Sequence, residues 1–504
     1  MAVDQDFQRI TDLIHQHALQ RPAAPALRQG DTVLSYAELD TLMDRIASAL
    51  QREGILPGQA IALCGLSTSR LAALFLGALR AGVVVAPLAP SVTAAALGGM
   101  LGDAQARLLF ADAAAPPSAG IRRIALDDEA AFDAWLAPPG ARPQPVEIGA
   151  DSAFNLIYSS GTTGAPKGIV QPHGMRWMHV RRGAAYGYGP DSVTLLATPL
   201  YSNTTLVVFF PALAYGGCVL LMAKFDAAAY LALAHAHRAT HTMLVPVQYQ
   251  RIMALPNFDD HELSACQIKF CTSAPFPAVL KAEVLARWPG GLVEFYGMTE
   301  GGGTCILEAH LQPDKLHTVG RPSEGHDIRL IDEAGLELPA GQAGEVVGHS
   351  PAMMAGYYGQ PEKTREAEWF APDGKRFIRT GDIARFDAEG FLILLDRKKD
   401  MIISGGFNIY PSDLEAELRQ HPAVAEAAVV GVASSVWGET PVAFVVCRAG
   451  FDMPATALRE WLNARVGKTQ RLADLRLIAE LPRSAIGKVL KRELRDAYNK
   501  QETT

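Results

Sequence analysis

Tyr158-Ser159-Ser160-Gly161-Thr162-Thr163-Gly164-Ala165-Pro166-Lys167-Gly168 packs three glycines, four small hydroxyl side chains and one lysine into a single stretch. The apolar run Phe154 to Ile157 precedes it and reads as a buried strand; Ile169-Val170 follows and reads as the next strand. Glycine lets the backbone turn tightly and bring N–H groups close to an anion. The hydroxyls add donors, and Lys167 adds a point charge. A triphosphate tail needs that combination. A polar hairpin loop is the plain alternative, but this density of donors beside a lysine favours phosphate. The stretch is not a P-loop, which requires G-x-x-x-x-G-K-[ST] and then a helix. Here Pro166 stands before Lys167 and Gly168 after it, so no Ser or Thr follows to hold magnesium.

Working outward, the chain before the loop alternates strand and helix. Leu39, Leu42, Met43, Ile46 and Leu50 recur at helical spacing, which predicts a helix over 36–51 with Ser35 as N-cap and Glu38 completing a capping box. Strands are expected at 60–63 and 83–86 with a helix at 69–81 between them, the rhythm of a parallel sheet with crossover helices. Four prolines and a glycine over 138–145 read as a surface linker. After the loop, helices are expected at 176–185, 206–215, 227–237 and 279–288, and strands at 194–198, 219–222, 242–245, 268–272 and 293–296. The last strand runs into Tyr296-Gly297-Met298-Thr299-Glu300-Gly301-Gly302-Gly303. Both glycine-bearing loops thus follow a strand, where open α/β sheets bind ligands.

From residue 319 the texture changes to short strands and Asp/Gly turns, an antiparallel β subdomain over about 319–396. The charged connector Asp396-Arg397-Lys398-Lys399-Asp400 follows, then a small α+β unit. The fold class is therefore α/β: a large N-terminal domain, 1–397, of mixed, mainly parallel sheets with packed helices and the β subdomain, and a small mobile C-terminal domain, 398–504.

Composition narrows the function. The 504 residues are 49% hydrophobic, ample for more than one core. The net charge of −7 and the lack of a basic stripe argue against nucleic acid. None of the six cysteines forms a C-x-x-C pair, so zinc and a disulfide framework are not expected. No signal peptide or clean apolar span is visible, which points to a soluble cytoplasmic protein without a membrane span. Oligomeric state stays open, a homodimer included.

Four motifs, in order along nearly the whole chain, resemble those of the adenylate-forming superfamily of acyl- and aryl-CoA synthetases, peptide-synthetase adenylation domains and luciferases. They are the 158–168 loop, Tyr296 to Glu300, Thr380-Gly381-Asp382, and Pro482-Arg483-Ser484-Ala485-Ile486-Gly487-Lys488. The resemblance assigns ATP to Ser159, Ser160, Gly161, Thr162, Thr163, Gly164 and Lys167 at the phosphates. It puts Tyr296, Ser273, Ala274 and Pro275 at adenine, with Gly297, Met298 and Thr299 alongside, and Asp382 with Arg397 at the ribose. Glu300 would hold Mg2+; hard cations prefer carboxylate and phosphate oxygens. Lys488 is the implied catalytic lysine, acting with Thr163 and Glu300. Lys399 falls on the implied hinge, and Gly405 and Gly406 on the wall of a tunnel for coenzyme A. Each residue alone has a plainer reading as a solvated or turn residue; order and spacing give the set its weight.

The chemistry implied is a carboxylate attacking the α-phosphate of ATP, two anions whose repulsion cations must offset, followed by thiol attack on the acyl-adenylate. The acyl pocket is expected from Tyr201, Ser202, Asn203, Thr272, Gly301, Gly302 and Gly303, the glycines giving room. Ser202 stands where relatives often carry histidine, or aspartate to pair an amino-acid ammonium. Serine does neither, which disfavours amino acids, since a buried ammonium would go unpaired. An acid–CoA ligase is the leading expectation, with a stand-alone enzyme that loads a carrier protein as the alternative. A non-catalytic nucleotide module and a luciferase-type oxygenase stand behind them.

Overall fold

A computed structural model describes residues 6–159, 167–404, 407–434, 436–451, 453–484 and 487–502. The chain divides into two compact units, Met1–Ile328 with Gly348–Ile378, and Arg329–Val347 with Arg379–Thr504. Among the described residues, no helix is long and apolar enough to cross a membrane.

The first unit is built on two sheets. In one, the parallel strands Pro25–Gln29, Cys218–Leu221, Val193–Leu196, His241–Leu244, Ile268–Cys271 and Gly291–Gly297 lie side by side, with antiparallel strands at both edges. In the other, the order is Gly356–Tyr357, Lys167–Pro172, Ala153–Ser159, Val84–Leu88, Ala60–Cys64, Leu109–Ala111, Arg123–Ala125. The last five are parallel, and the first two are added antiparallel. Helices cover the sheets: Tyr36, Leu39, Met43, Ile46 and Leu50 of the first long helix are wholly buried. That helix spans Tyr36–Arg52, and its capping box forms as expected, Glu38 N–H donating to Ser35 Oγ at 3.2 Å and Ser35 N–H to Glu38 Oε2 at 2.8 Å.

Two helices near the site begin three residues earlier than the periodicity suggests. The helix expected at 176–185 spans His173–Gly183. Its first N–H groups are satisfied by tertiary carbonyls, Ser152 for His173 and Ala150 for Gly174, rather than by a local cap. The helix expected at 206–215 spans Asn203–Ala214, because Ser202 is its N-cap, accepting from Thr204 N–H at 3.3 Å.

The second unit contains the hairpin Val424–Ser434 and Gly438–Cys447, flanked by Ile402–Ser404, Phe407–Ile409 and Asp474–Leu477. The helices Pro411–Leu418 and Ala455–Asn463 bury Leu414, Leu418, Leu458 and Leu462 against Val429 and Val445. A terminal helix, Lys491–Glu502, had no counterpart in the sequence reading. All six cysteines are free, five of them buried.

Candidate functional site

The strands around the glycine-rich loop pair antiparallel, Tyr158 opposite Gly168 and Ser159 opposite Lys167. The two flanking strands are thus antiparallel neighbours. Ser160, Gly161, Thr162, Thr163 and Gly164 lie outside the described residues, as do Gly405 and Gly406; Ser159 ends its strand.

Lys167 opens the strand Lys167–Pro172, which pairs with Gly356–Tyr357. That pairing brings the Lys167 ammonium to 5.3 Å from the centre of the Tyr357 ring. The Tyr357 hydroxyl donates to Glu300 Oε1 at 2.9 Å. One ring thus joins the loop lysine to the carboxylate expected to hold magnesium. Burial and the Glu300 carboxylate push the Tyr357 phenol well above its ordinary range, so it stays a donor. Tyr357 escaped the sequence reading because only the long-range strand pairing places it there.

A second network fixes the expected pocket wall. Arg176 is wholly buried. Its Nε and Nη2 donate to Asn155 Oδ1, both at 3.1 Å, and its Nη1 to Asn203 Oδ1 at 2.8 Å; Nη2 also meets Gln171 Oε1. Gln171 Nε2 donates onward to the Thr299 carbonyl at 2.7 Å. Two strands, two helices and the 296–303 loop are pinned through one guanidinium, whose pKa burial lowers to about 9. Nearby, Ser273 has the left-handed backbone φ of 82° that non-glycine residues rarely adopt, and its hydroxyl bonds the Thr204 hydroxyl. Thr272 Oγ1 donates to the Phe295 carbonyl at 2.8 Å. Ala274 and Pro275 follow Ser273 in the same loop, Pro275 exposed and Ala274 half-buried. Tyr296 and Met298 are half-buried, Gly297 is exposed, and Met298 packs by Ile169, Met354 and Ile378. Tyr201 is half-buried, and burial raises its phenol pKa.

The glycine run does something other than leave open space. A Cβ on Gly301 would collide with the Ala352 carbonyl, one on Gly302 with Ile378 and one on Gly303 with Ile328. Gly301 and Gly303 also have φ of 75° and 89°. The missing side chains admit neighbouring protein, so these residues offer a ligand backbone atoms only.

In the second unit, Asp382 and Arg397 are direct cross-strand partners, and Arg397 Nε lies 2.9 Å from Asp382 Oδ1. Gly381, just before Asp382, has the left-handed φ of 70° that favours glycine. Lys488 is half-buried on a tight loop: Ser484 N–H donates to the Lys488 carbonyl at 2.8 Å and Lys488 N–H to Ser484 Oγ at 3.2 Å. Burial first, then the Arg397 and Lys399 cations, lower the Lys488 ammonium to about 8, against the opposing pull of Asp382 and Asp400. Burial lowers Lys399 as well. Motifs distant in sequence, 380–382, 397–399 and 488, therefore act on one another's charge within this unit.

Known proteins share both the sequence and the fold. Residues 14–358 match the AMP-binding enzyme family, and residues 413–488 match the AMP-binding enzyme C-terminal domain. A feruloyl-CoA synthase of Amycolatopsis sp is 35% identical, the alignment covering 96% of this chain and 98% of that protein. A fatty acid–[acyl-carrier-protein] ligase, ScoC of Streptomyces coeruleorubidus, is 31% identical over 98% of this chain and 97% of its own length. The crystal structure of ATP-bound MatB from Rhodopseudomonas palustris superposes with a TM-score of 0.87 at 29% identity, covering 97% of this chain and 99% of that one. The chain belongs to the AMP-binding enzyme family and is an AMP-forming acid–thiol ligase, activating a carboxylate as its adenylate.

Proposed function

We propose that this ligase transfers its acyl group to the thiol of free coenzyme A and that its two units divide the chemistry. Lys167 and the 159–164 loop take the phosphates of ATP, with Ser273, Ala274, Pro275 and Tyr296 at the base and Gly297, Met298 and Thr299 beside it. Asp382, oriented by Arg397, takes the ribose hydroxyls; a carboxylate can accept both hydrogens. Lys488 places its charge on the carboxylate and the α-phosphate as they approach, the preorganised kind of stabilisation that is usually the largest catalytic term. The observation that carries this reading is the convergence of Asp382, Arg397, Lys399 and Lys488 in one electrostatic cluster.

Glu300 suits Mg2+. Among the described residues no group of three or more His, Cys, Asp or Glu could form a protein cage. Magnesium characteristically takes one or two carboxylates and fills its shell with water and phosphate. Bound there, the ion would neutralise charge on the phosphates. Tyr357 holds the Glu300 carboxylate by a hydrogen bond to a charged group, worth roughly tenfold or more. Tyr357→Phe should therefore lower kcat/KM for ATP about tenfold and raise the Mg2+ concentration needed for half-maximal pyrophosphate release.

Gly405 and Gly406 would line the pantetheine path, and Lys399 would serve as the pivot between adenylation and thiol transfer. Free thiols in the core suit a reducing compartment, so we place the protein in the cytoplasm, where ATP and coenzyme A are at hand. Pyrophosphate release from a panel of carboxylic acids, with and without coenzyme A, tests the assignment. Turnover that requires coenzyme A supports it. A single stoichiometric burst unaffected by coenzyme A, relieved by a carrier protein, would favour the carrier-loading reading that ScoC represents.

The lowered Lys488 pKa has a signed consequence. The ammonium must be charged to act, and it loses its proton as pH rises through about 8. For the free enzyme, kcat/KM for adenylation should be full below that pH and fall above it. Lys399→Met removes a neighbouring cation, raises the Lys488 pKa and should move this alkaline limb upward. A pH profile of pyrophosphate release for both proteins reads the shift.

A further inference from the structure

We infer that Asp103, remote in sequence from the four motifs, is a positioning residue for ATP: through Tyr158 it fixes the stem of the phosphate loop, and through Gln360 the turn that carries Tyr357. This deepens the proposed site and rests on its placing Lys167 and Glu300 at the phosphates and their magnesium.

Asp103 closes the helix Ala94–Asp103, whose last turn carries no basic residue. A carboxylate there opposes the helix dipole, so the helix itself gains nothing from it. Both of its oxygens are taken by side chains from far along the chain. Oδ2 accepts from the Tyr158 hydroxyl at 2.8 Å, and Oδ1 from Gln360 Nε2 at 2.8 Å. The Met100 carbonyl lies 3.2 Å from the same hydroxyl, but a phenol has one proton, and the carboxylate is nearer and charged. Burial first, then Asp103, push the Tyr158 phenol well above its ordinary range, so it stays a donor.

Each bond reaches the phosphate side by a short route. On the first, Tyr158 is the cross-strand partner of Gly168, as Ser159 is of Lys167. A Cβ on Gly168 would crowd the Tyr158 hydroxyl at 3.0 Å and Asp103 Oδ2 at 3.2 Å, so the phenol end of Tyr158 lies against bare backbone. Tethering that hydroxyl holds together the two strands that end in Ser159 and begin at Lys167. On the second, Gln360 N–H donates to the Tyr357 carbonyl at 3.1 Å, and Tyr358 N–H to the Gly168 carbonyl at 2.7 Å. Thr364 Oγ1 accepts from Tyr357 N–H at 2.9 Å. The Tyr357 ring then meets the Lys167 ammonium, and its hydroxyl meets Glu300. One carboxylate thus steadies the stem and the ring that joins the two charged groups. Asp103 acts through these residues rather than on the nucleotide, and small errors in the placement of such groups are costly.

The test is calorimetric binding of ATP with Mg2+, and of AMP, to the full-length protein. AMP lacks the β- and γ-phosphates, so misplaced phosphate groups show in ATP binding and not in AMP binding. Asp103→Leu removes a hydrogen bond to a charged group on each route and should weaken ATP about 10-fold to 100-fold, with AMP nearly unchanged. Asp103→Asn, which still accepts from Tyr158, should restore part of the loss. Tyr158→Phe should weaken ATP about tenfold at every Mg2+ concentration. Gln360→Leu should also raise the Mg2+ needed for half-saturation, as expected for Tyr357→Phe. Lys167→Met separates the two ideas. ATP binding untouched by Lys167→Met defeats the phosphate assignment; a loss there with none in Asp103→Leu overturns the role of Asp103 alone. Equal losses of ATP and AMP in Asp103→Leu, or a lowered melting point with ATP affinity intact, make Asp103 structural and overturn it too. If Asp103→Leu does not fold, Tyr158→Phe and Gln360→Leu carry the same comparison, and an ATP-selective loss in neither overturns the proposal.

Discussion

Lys488→Ala should lower pyrophosphate release roughly 100-fold to 1000-fold, the cost of removing one preorganised donor from a transition state that gathers negative charge. ATP affinity should change little, because Asp382, Arg397 and Lys167 are untouched. Conversion of chemically prepared acyl-adenylate to the thioester should also proceed at near the wild-type rate. This split separates a catalytic lysine from a structural one. The loop that holds Lys488 is fixed by backbone bonds to Ser484 and by Arg483, whose Nη1 donates to the Gly487 carbonyl at 2.7 Å and whose Nη2 meets Glu426 at 2.8 Å. None of these uses the Lys488 side chain, so alanine should fold normally. Equal adenylation rates in the two proteins would remove Lys488 from the mechanism.

Arg176→Ala should be the most destabilising single change near the site, by about 3–5 kcal/mol in the unfolding of the first unit. Two effects add. A large side chain in contact with the rings of Phe154 and Phe210 is deleted, leaving a cavity. Amide oxygens of Asn155, Gln171 and Asn203 lose a charged donor in the interior, at about 1–3 kcal/mol for each group left unsatisfied. Against these stands the relief of burying a cation; the hydrogen bonds and the lost volume together exceed it. Arg176→Met keeps the volume and should cost less. Because Gln171 also holds the Thr299 carbonyl, kcat/KM should fall in both variants even where the protein remains folded. Denaturant melts and steady-state kinetics on the same preparations check the pair. Arg176→Ala with wild-type stability would show that the guanidinium costs as much as it contributes.

The contrast between Arg176 and Arg182 is instructive. Both sit on one helix, Arg176 wholly buried and Arg182 half-buried. Asn155, Gln171 and Asn203 surround the first with acceptors, so its role is complete within the protein. Arg182 meets the Phe295 ring and the phenols of Tyr186 and Tyr188 instead. No sequence pattern separates the two, because their partners come from other strands and helices.

Much of the fold was legible because its cues are short-range. Periodicity marked the helix Tyr36–Arg52, the Ser35–Glu38 box marked its start, and strand–helix alternation foretold the parallel sheets. Where the cue is tertiary, the reading slipped: the helix from His173 starts early because the carbonyls of Ala150 and Ser152 cap it from another part of the chain. The glycines at 301–303 suggested empty room, whereas packing of Ala352, Ile378 and Ile328 fills it.

By itself the sequence determined the family and the order of its motifs, and it nominated Lys167, Glu300, Asp382, Arg397 and Lys488 by residue type. Residue type and spacing are local properties, and a one-dimensional string carries them whole. Only the tertiary structure decided what surrounds each group. It put Tyr357 between Lys167 and Glu300, set Arg397 opposite Asp382, and buried Lys488 beside the Arg397 and Lys399 cations, which lowers its pKa to about 8. Those outcomes depend on strand register and burial, and both are set by pairings between segments far apart along the chain.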